Sequence, residues 1–244
     1  MIEIENLAKR FGAVEAVRNV SFVAPDGRVT GLLGPNGAGK TTTLRMISTL
    51  LRPSRGSVRV DGMDAAANAP SVRARIGALS DARGLYARLT ARENIAYYGE
   101  LRAMARPAIA ASIGRLASLL ELEALLDRRT EGFSQGERMK VAIARALVHD
   151  PPNVILDEPT NGLDVMTTRS LREAVRRLRE AGKCVLFSSH VMQEVAALCD
   201  EIVIVSRGEV CAAGTPSAIR AAARSEDLEE AFVRLTGTES EARP

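Results

Sequence analysis

Apolar positions along the chain follow two rhythms, and the rhythm changes with position. Ile2 and Ile4, Val20 and Phe22, and Val58 and Val60 alternate with polar residues, the period of strands with one covered face. Asp26-Gly27 and Asp61-Gly62 supply turn signals beside them. Short apolar runs at Val29 to Leu33, Ile76 to Leu79, Val154 to Leu156, Cys184 to Phe187 and Ile202 to Val205 read as buried strands. Arg207-Gly208 turns into a last short strand near Val210.

From Thr90 to about Leu147 the period becomes helical. Thr90-Ala91-Arg92-Glu93 is a capping box, and Pro107 suits the first turn of the next helix. Leu116, Leu119, Leu120, Leu122, Leu125 and Leu126 form an apolar set broadly at helical spacing. Further helices are predicted over Thr167 to Ala181, closed by Gly182, over Val191 to Leu198, and over Asp227 to Leu235, with a fraying end beyond. Pro53-Ser54-Arg55-Gly56 and Asp150-Pro151-Pro152 break the chain. Strands alternating with helices predict an α/β fold: a parallel sheet covered by helices, with a helical block inserted into it.

Between the strand at Val29 to Leu33 and a helix beginning near Thr43 lies Gly34-Pro35-Asn36-Gly37-Ala38-Gly39-Lys40-Thr41-Thr42. It fits the phosphate-loop pattern G-x-x-x-x-G-K-[ST] in the strand–loop–helix context that pattern requires. Glycines let successive backbone N–H groups turn toward phosphate oxygens, and the helix N-terminus adds its positive end. Lys40 can reach the β- and γ-phosphates, and the Thr41 hydroxyl can ligate Mg²⁺.

Three further segments fit a nucleotide site. Asp157 and Glu158 end an apolar strand; the first carboxylate suits Mg²⁺ and the second could polarise an attacking water. Ser134-Gln135-Gly136-Glu137 opens an amphipathic helix. Ser134 and Glu137 satisfy a capping box there, and the helix N-terminus is also a candidate anion site. A phosphate held by Lys40 cannot also reach a distant helix end of the same chain, so a γ-phosphate there could belong to a second copy. His190 follows the strand at Cys184 to Phe187, where a strand-end side chain points into the ligand crevice. His149, beside Asp150, reads as a surface residue complementing a helix dipole.

Composition narrows the field. The 244 residues suit one domain or a domain with a subdomain. Net charge is only +3 with both signs interspersed, 3% of residues are aromatic and there is no Trp, so no nucleic-acid partner is expected. The three cysteines form no C-x-x-C pair, which points to a reducing compartment and away from a metal site. The N-terminus shows no signal region, and no apolar run approaches the roughly 20 residues of a membrane span. Attachment to a membrane would run through a partner.

Together these segments resemble the ATP-binding subunit of ABC transporters, in the family's order and over nearly the whole chain. Gly34 to Thr42 is similar to Walker A, and Asp157-Glu158 to Walker B with its adjacent catalytic glutamate. Ser134-Gln135-Gly136-Glu137, followed by Arg138 and Ala142 to Leu147, resembles the signature motif and its helix. Asn161-Gly162-Leu163-Asp164 resembles the D-loop and His190 the switch histidine. Phe11, upstream of Gly12 and Ala16-Val17, resembles the aromatic that stacks on adenine. Arg83 to Tyr86, Leu89-Thr90, Glu93-Asn94 and Tyr97 to Gly99 are similar to the bacterial sodium-extrusion branch, which is paired with exporter-type permeases.

The resemblance implies a P-loop NTPase (RecA-like) core with an N-terminal antiparallel β subdomain and an inserted α-helical subdomain. It assigns the ATP-binding domain to 1–220, with core in 1–84 and 150–220, helical subdomain in 85–149, and a short helix and tail in 221–244. It implies ATP contacts at Phe11, Val17, Gly34 to Thr42, Ser134 to Glu137 and Asp164. It implies hydrolysis by Glu158, His190, Lys40 and Asp81, and Mg²⁺ at Thr41, Asp157 and Asp81. It also implies a second ATPase copy, most simply a homodimer, and a permease that holds the chain at the cytoplasmic face of the membrane.

Four positions depart from the family pattern. Asp81 stands where Gln is usual, Gln135 where Gly is usual with Glu137 in place of a frequent Gln, Phe11 where Tyr is commoner, and Gly162 where Ala is usual. Asp81 puts coupling to the permease in question. Gln135 and the charge of Glu137 could weaken closure over a γ-phosphate. Alternatives are a soluble ABC-type ATPase acting on ribosomes or DNA, an unrelated P-loop GTPase or kinase, and a non-hydrolysing member of a heterodimer.

Overall fold

The computed structural model describes residues 1–79 and 84–237. Its spine is a ten-stranded sheet. At one edge, β1 (Ile2–Phe11) pairs antiparallel with β2 (Val14–Ala24) and with β4 (Arg55–Val60). β5 (Met63–Asp64) returns on β4 through the Asp61-Gly62 turn. The rest is mainly parallel. β3 (Val29–Leu33) runs between β8 (Cys184–Ser189) and β9 (Glu201–Ser206), and β7 (Asn153–Asp157) runs between β8 and β6 (Ile76–Leu79). β10 (Glu209–Gly214) is antiparallel to β9 and joins the two parts through a parallel pairing with β2. The order is β5-β4-β1-β2-β10-β9-β3-β8-β7-β6. The fold is the expected α/β P-loop architecture with an antiparallel N-terminal portion.

The apolar runs are continuous because both faces of these strands are covered. Val154 and Leu156 of β7 and Val185 and Phe187 of β8 enter one cluster, while Ile155, Cys184 and Leu186 enter the other. The second cluster packs β1, β2 and β4 over α1 (Lys40–Ile47). The first packs α6 (Val165–Glu180), α7 (Met192–Leu198), α9 (Leu228–Thr236) and the helical block on the opposite face. That block is α3 (Ala91–Leu101), α4 (Arg106–Leu120) and α5 (Gln135–Leu147), all between β6 and β7. The Thr90 hydroxyl accepts from Glu93 N (3.1 Å) and the Glu93 carboxylate accepts from Thr90 N (2.7 Å), so the capping box is present.

The sequence pattern also left gaps. α2 (Ala69–Ala74) and α8 (Pro216–Ala223), six and eight residues long, are too short to show a helical period and lie outside the predicted helices. For α8 the signal was present: the Thr215 hydroxyl accepts from Ala218 N, with Pro216 at the first turn. α4 ends at Leu120, where Glu121 turns left-handed at φ 55°. Leu122, Leu125 and Leu126 therefore pack from the turn that follows rather than from a continued helix.

His149 departs from expectation. It is partly buried, its Nε2 faces the Ile76 carbonyl at 3.2 Å, and its Nδ1 has no partner among the described residues. Burial, helped by the Arg102 charge, pushes its imidazole down to about 4. It is neutral at pH 7 and cannot complement a helix dipole. Cys184 and Cys199 are buried with raised thiol pKa values, which suits inert core residues.

Candidate functional site

The parallel register sets three strand ends level. Leu33 of β3 pairs with Ser189 of β8, and Asp157 of β7 pairs with Ser188. A cleft of about 470 Å³ opens at these ends. It is lined by Ala16, residues 36–42, Asp157, Glu158, Asn161 and His190.

The loop from Gly34 to Gly39 is shaped by close approach. Gly39 has φ 101°, and a Cβ there would lie 2.6 Å from the Ala16 carbonyl oxygen. A Cβ at Gly34 would lie 2.2 Å from the Val205 carbonyl oxygen. No side chain can enter either place, so the loop keeps its backbone turned around the cleft. Lys40, only 6% exposed, donates from Nζ to the Gly34 carbonyl at 2.6 Å and the Pro35 carbonyl at 3.2 Å. Its ammonium also lies 3.4 Å from Glu158 Oε1. A buried cation held by two neutral carbonyls and one carboxylate at the cleft can exchange the carbonyls for charged phosphate oxygens, which are the stronger acceptors.

Asp157 is 4% exposed. Ser188 organises the strand end: its hydroxyl donates to Asp157 Oδ1 (2.6 Å) and accepts from Glu158 N (2.9 Å). Glu158 adopts φ 46°, a left-handed conformation costing a side-chain-bearing residue roughly 1–3 kcal/mol. This turn carries its carboxylate over the cleft, where Oε2 sits 2.8 Å from His190 Nδ1. Thr41 and Asp157 both line the cleft. One hydroxyl and one carboxylate, with phosphate oxygens and water, match Mg²⁺ better than a metal needing a protein cage. No group of three or more His, Cys, Asp or Glu among the described residues could form such a cage.

A buried carboxylate behind the cleft holds the histidine segment. Glu194 Oε2 accepts from the hydroxyls of Thr160 and Ser189, the latter at 3.0 Å, and Ser189 Oγ in turn accepts from Val191 N at 3.0 Å. The residues on either side of His190 are thereby tied to the chain beyond Glu158. The sequence pattern did not point to Ser188 or Glu194, and it placed Asn161 and Ala16 only within the D-loop and adenine-stacking resemblances, not among the site residues. The Ser188-Ser189 pair at the end of an apolar strand was the available signal for the first.

Other expected nucleotide contacts lie elsewhere. Val17 is buried beneath the loop, its Cγ2 3.2 Å from where a Gly39 Cβ would be, so it supports the cradle and does not line the cleft. Phe11, 47% exposed at the end of β1, has the Lys9 ammonium 5.2 Å from its ring centre and is outside the cleft lining. Ser134, Gln135, Gly136, Glu137 and Asp164 are also outside it. Ser134 Oγ accepts from Glu137 N at 3.2 Å, and Glu137 Oε2 accepts from Ser134 N at 2.7 Å, completing the capping box. Asp164 caps α6, accepting from Thr167 Oγ1 (2.7 Å) and Thr167 N (2.9 Å), which holds its carboxyl below the usual range. Asp81 lies outside the described residues.

A family model for the ABC transporter matches residues 17–161. The chain is 45% identical over 238 residues to the ABC transporter ATP-binding protein NatA of Bacillus subtilis, covering 96% of this chain and 97% of that protein. The chain belongs to the ABC transporter family. It is also 36% identical over 231 residues to the Nod factor export ATP-binding protein I of Paraburkholderia xenovorans (95% of this chain, 76% of that one). A solved ATP-binding subunit of an ABC transporter superposes with TM-score 0.87 at 30% identity, covering 97% of this chain and 99% of the other. An ATP-binding cassette solved as a dimer in a post-hydrolysis state with ADP and Pi superposes with TM-score 0.79 at 27% identity, over 88% of this chain and 98% of that one. As an ABC transporter ATP-binding protein, the chain is an ATPase whose hydrolysis is coupled to transport. No helix among the described residues is long and apolar enough to cross a membrane.

Proposed function

We propose that this chain powers export of sodium or another small solute by closing, with a second copy, over two ATP molecules at the cytoplasmic face of the membrane. The carrying observation is the convergence of the buried Lys40, Asp157, and the Glu158–His190 pair at level strand ends. Loop amides and Lys40 would hold the β- and γ-phosphates. Thr41 and Asp157 would hold Mg²⁺, which when bound neutralises charge on the phosphate oxygens. Glu158 accepts a proton as water oxygen attacks the γ-phosphorus and the bond to the bridging oxygen breaks. His190, bonded to Glu158 through Nδ1, orients that carboxylate and the water. The work is positioning and charge stabilisation.

The start of α5 lies outside its own chain's cleft, which supports the service of Ser134 and Gly136 to a partner's ATP. The stretch from Arg83 to Gly99 supports the sodium-extrusion reading. For the permease, the groove between the helical block and the core has Arg73, Arg102 and Arg145, with Arg145 stacked 4.4 Å from the Tyr98 ring centre. Among the described residues none of these arginines forms an ion pair, so a permease segment carrying carboxylates is the partner that charge complementarity favours.

Light scattering of the Glu158→Gln chain tests the assembly. ATP should convert monomer to dimer, and Ser134→Arg in that background should prevent it while ATP still binds. ATP-loaded chains that stay monomeric without the Ser134 change overturn the reading.

A further inference from the structure

The two departures nearest the helix end, Gln135 and Gly162, meet in space. The Gln135 side chain turns back along its own chain, and Nε2 donates to the Asn161 carbonyl at 3.0 Å. Gly162 has φ 72°, and a Cβ there would lie 2.6 Å from Gln135 Nε2 and 3.2 Å from its Cδ and Oε1. The amide therefore fills the space a methyl group would take. Gly136 packs the same way: a Cβ there would lie 2.8 Å from Thr167 Oγ1 and Cγ2, and Thr167 is bonded to Asp164. The start of α5 thus rests on the segment from Asn161 to Thr167.

That segment follows closely on Glu158 in the chain and is bonded to its backbone. Asn161 N donates to the Glu158 carbonyl at 3.3 Å, and Asn161 lines the cleft. One residue therefore faces the chain's own nucleotide and is gripped by the helix that is not part of that cleft. We propose that Gln135 and Gly162 form a latch that couples each chain's own ATP site to its α5 N-terminus, and so to the ATP of the partner copy. Gln135 is a positioning residue and not a γ-phosphate contact. The proposal rests on the head-to-tail reading above. Because Gln135 is exposed, its hydrogen bond contributes little to global stability. Its effect should appear in communication between sites.

The test is a cycle of four full-length chains: wild type, Gln135→Gly, Gly162→Ala and the double variant. ATP turnover is measured against ATP concentration, with thermal unfolding alongside. Gly162→Ala alone should lower turnover about tenfold, by expelling the amide from Asn161, within the coupling range of contacting residues. Gln135→Gly should lower it about threefold and bring the Hill coefficient toward one, with little change in thermal midpoint. In the double variant the added methyl meets no amide, so turnover should match Gln135→Gly alone. Additive losses would assign the Gly162 effect to backbone strain at positive φ and overturn the latch. An unchanged Hill coefficient in Gln135→Gly would overturn the coupling. Failure of the head-to-tail reading is seen separately, as a Glu158→Gln chain that binds ATP without dimerising.

Discussion

The cleft at the strand ends and the exposed start of α5 both offer backbone N–H groups at a helix N-terminus, yet they are built in opposite ways. At the cleft, Lys40 spends its hydrogen bonds on loop carbonyls, and Glu158 is held at positive φ over open space. Its groups are paired to partners that a phosphate can replace. At α5, Ser134 and Glu137 satisfy each other, Gln135 reaches back to Asn161, and the surface is not part of a cavity in its own chain. One region is a concave receptor. The other is a capped helix end outside that cleft. On the head-to-tail arrangement proposed above, a chain carrying one of each would be half of two sites, and a related cassette has been solved as a dimer.

The contrast is most sharply broken at the cleft. Glu158→Gln should keep ATP binding and lower turnover by roughly 10²–10⁴, the usual worth of a general base; near-normal phosphate release would remove Glu158 from that role. Lys40→Ala deletes a charge-assisted donor and should weaken ATP binding by about 10–10²-fold in calorimetry. Unchanged affinity would mean that the loop amides suffice.

Ser188→Ala tests the support behind the carboxylates. It removes the hydroxyl that accepts from Glu158 N and donates to Asp157, and should cost about 1–3 kcal/mol in chemical unfolding, with turnover falling about tenfold. Unfolding that matches wild type would show that the hydroxyl is dispensable.

The smallest effect lies away from both regions, at His149. Its folded imidazole titrates at about 4, below the ordinary 6.5. Between those values the unfolded chain binds more protons, so stability rises with pH across that window and falls on acidification. The melting temperature of wild type should drop from pH 6.5 to 4 more than that of His149→Gln, and parallel curves would exclude this histidine as a cause of acid sensitivity.

Much of this was legible along the chain because the signals are local. The phosphate loop, the strand-end carboxylates and the Thr90 and Ser134 capping boxes each lie within a few consecutive residues, where backbone geometry follows from residue type. α2 and α8 were missed because helices of six and eight residues are too short to establish a period. His149 was misread because the groups around it come from far away in sequence: its ring faces the Ile76 carbonyl, and burial, helped by the Arg102 charge, lowers its basicity.

The sequence by itself determined the class of fold and the kinds of groups that meet nucleotide, since glycine spacing and apolar runs constrain the backbone wherever they occur. Only the tertiary structure decided who touches whom. The level register of β3, β8 and β7 makes Ser188 the bridge between Asp157 and Glu158. The packing of α5 on the Asn161–Thr167 segment turns two separate oddities, Gln135 and Gly162, into one complementary contact. Such pairings depend on distances between residues far apart in the chain, and no periodicity or spacing encodes them.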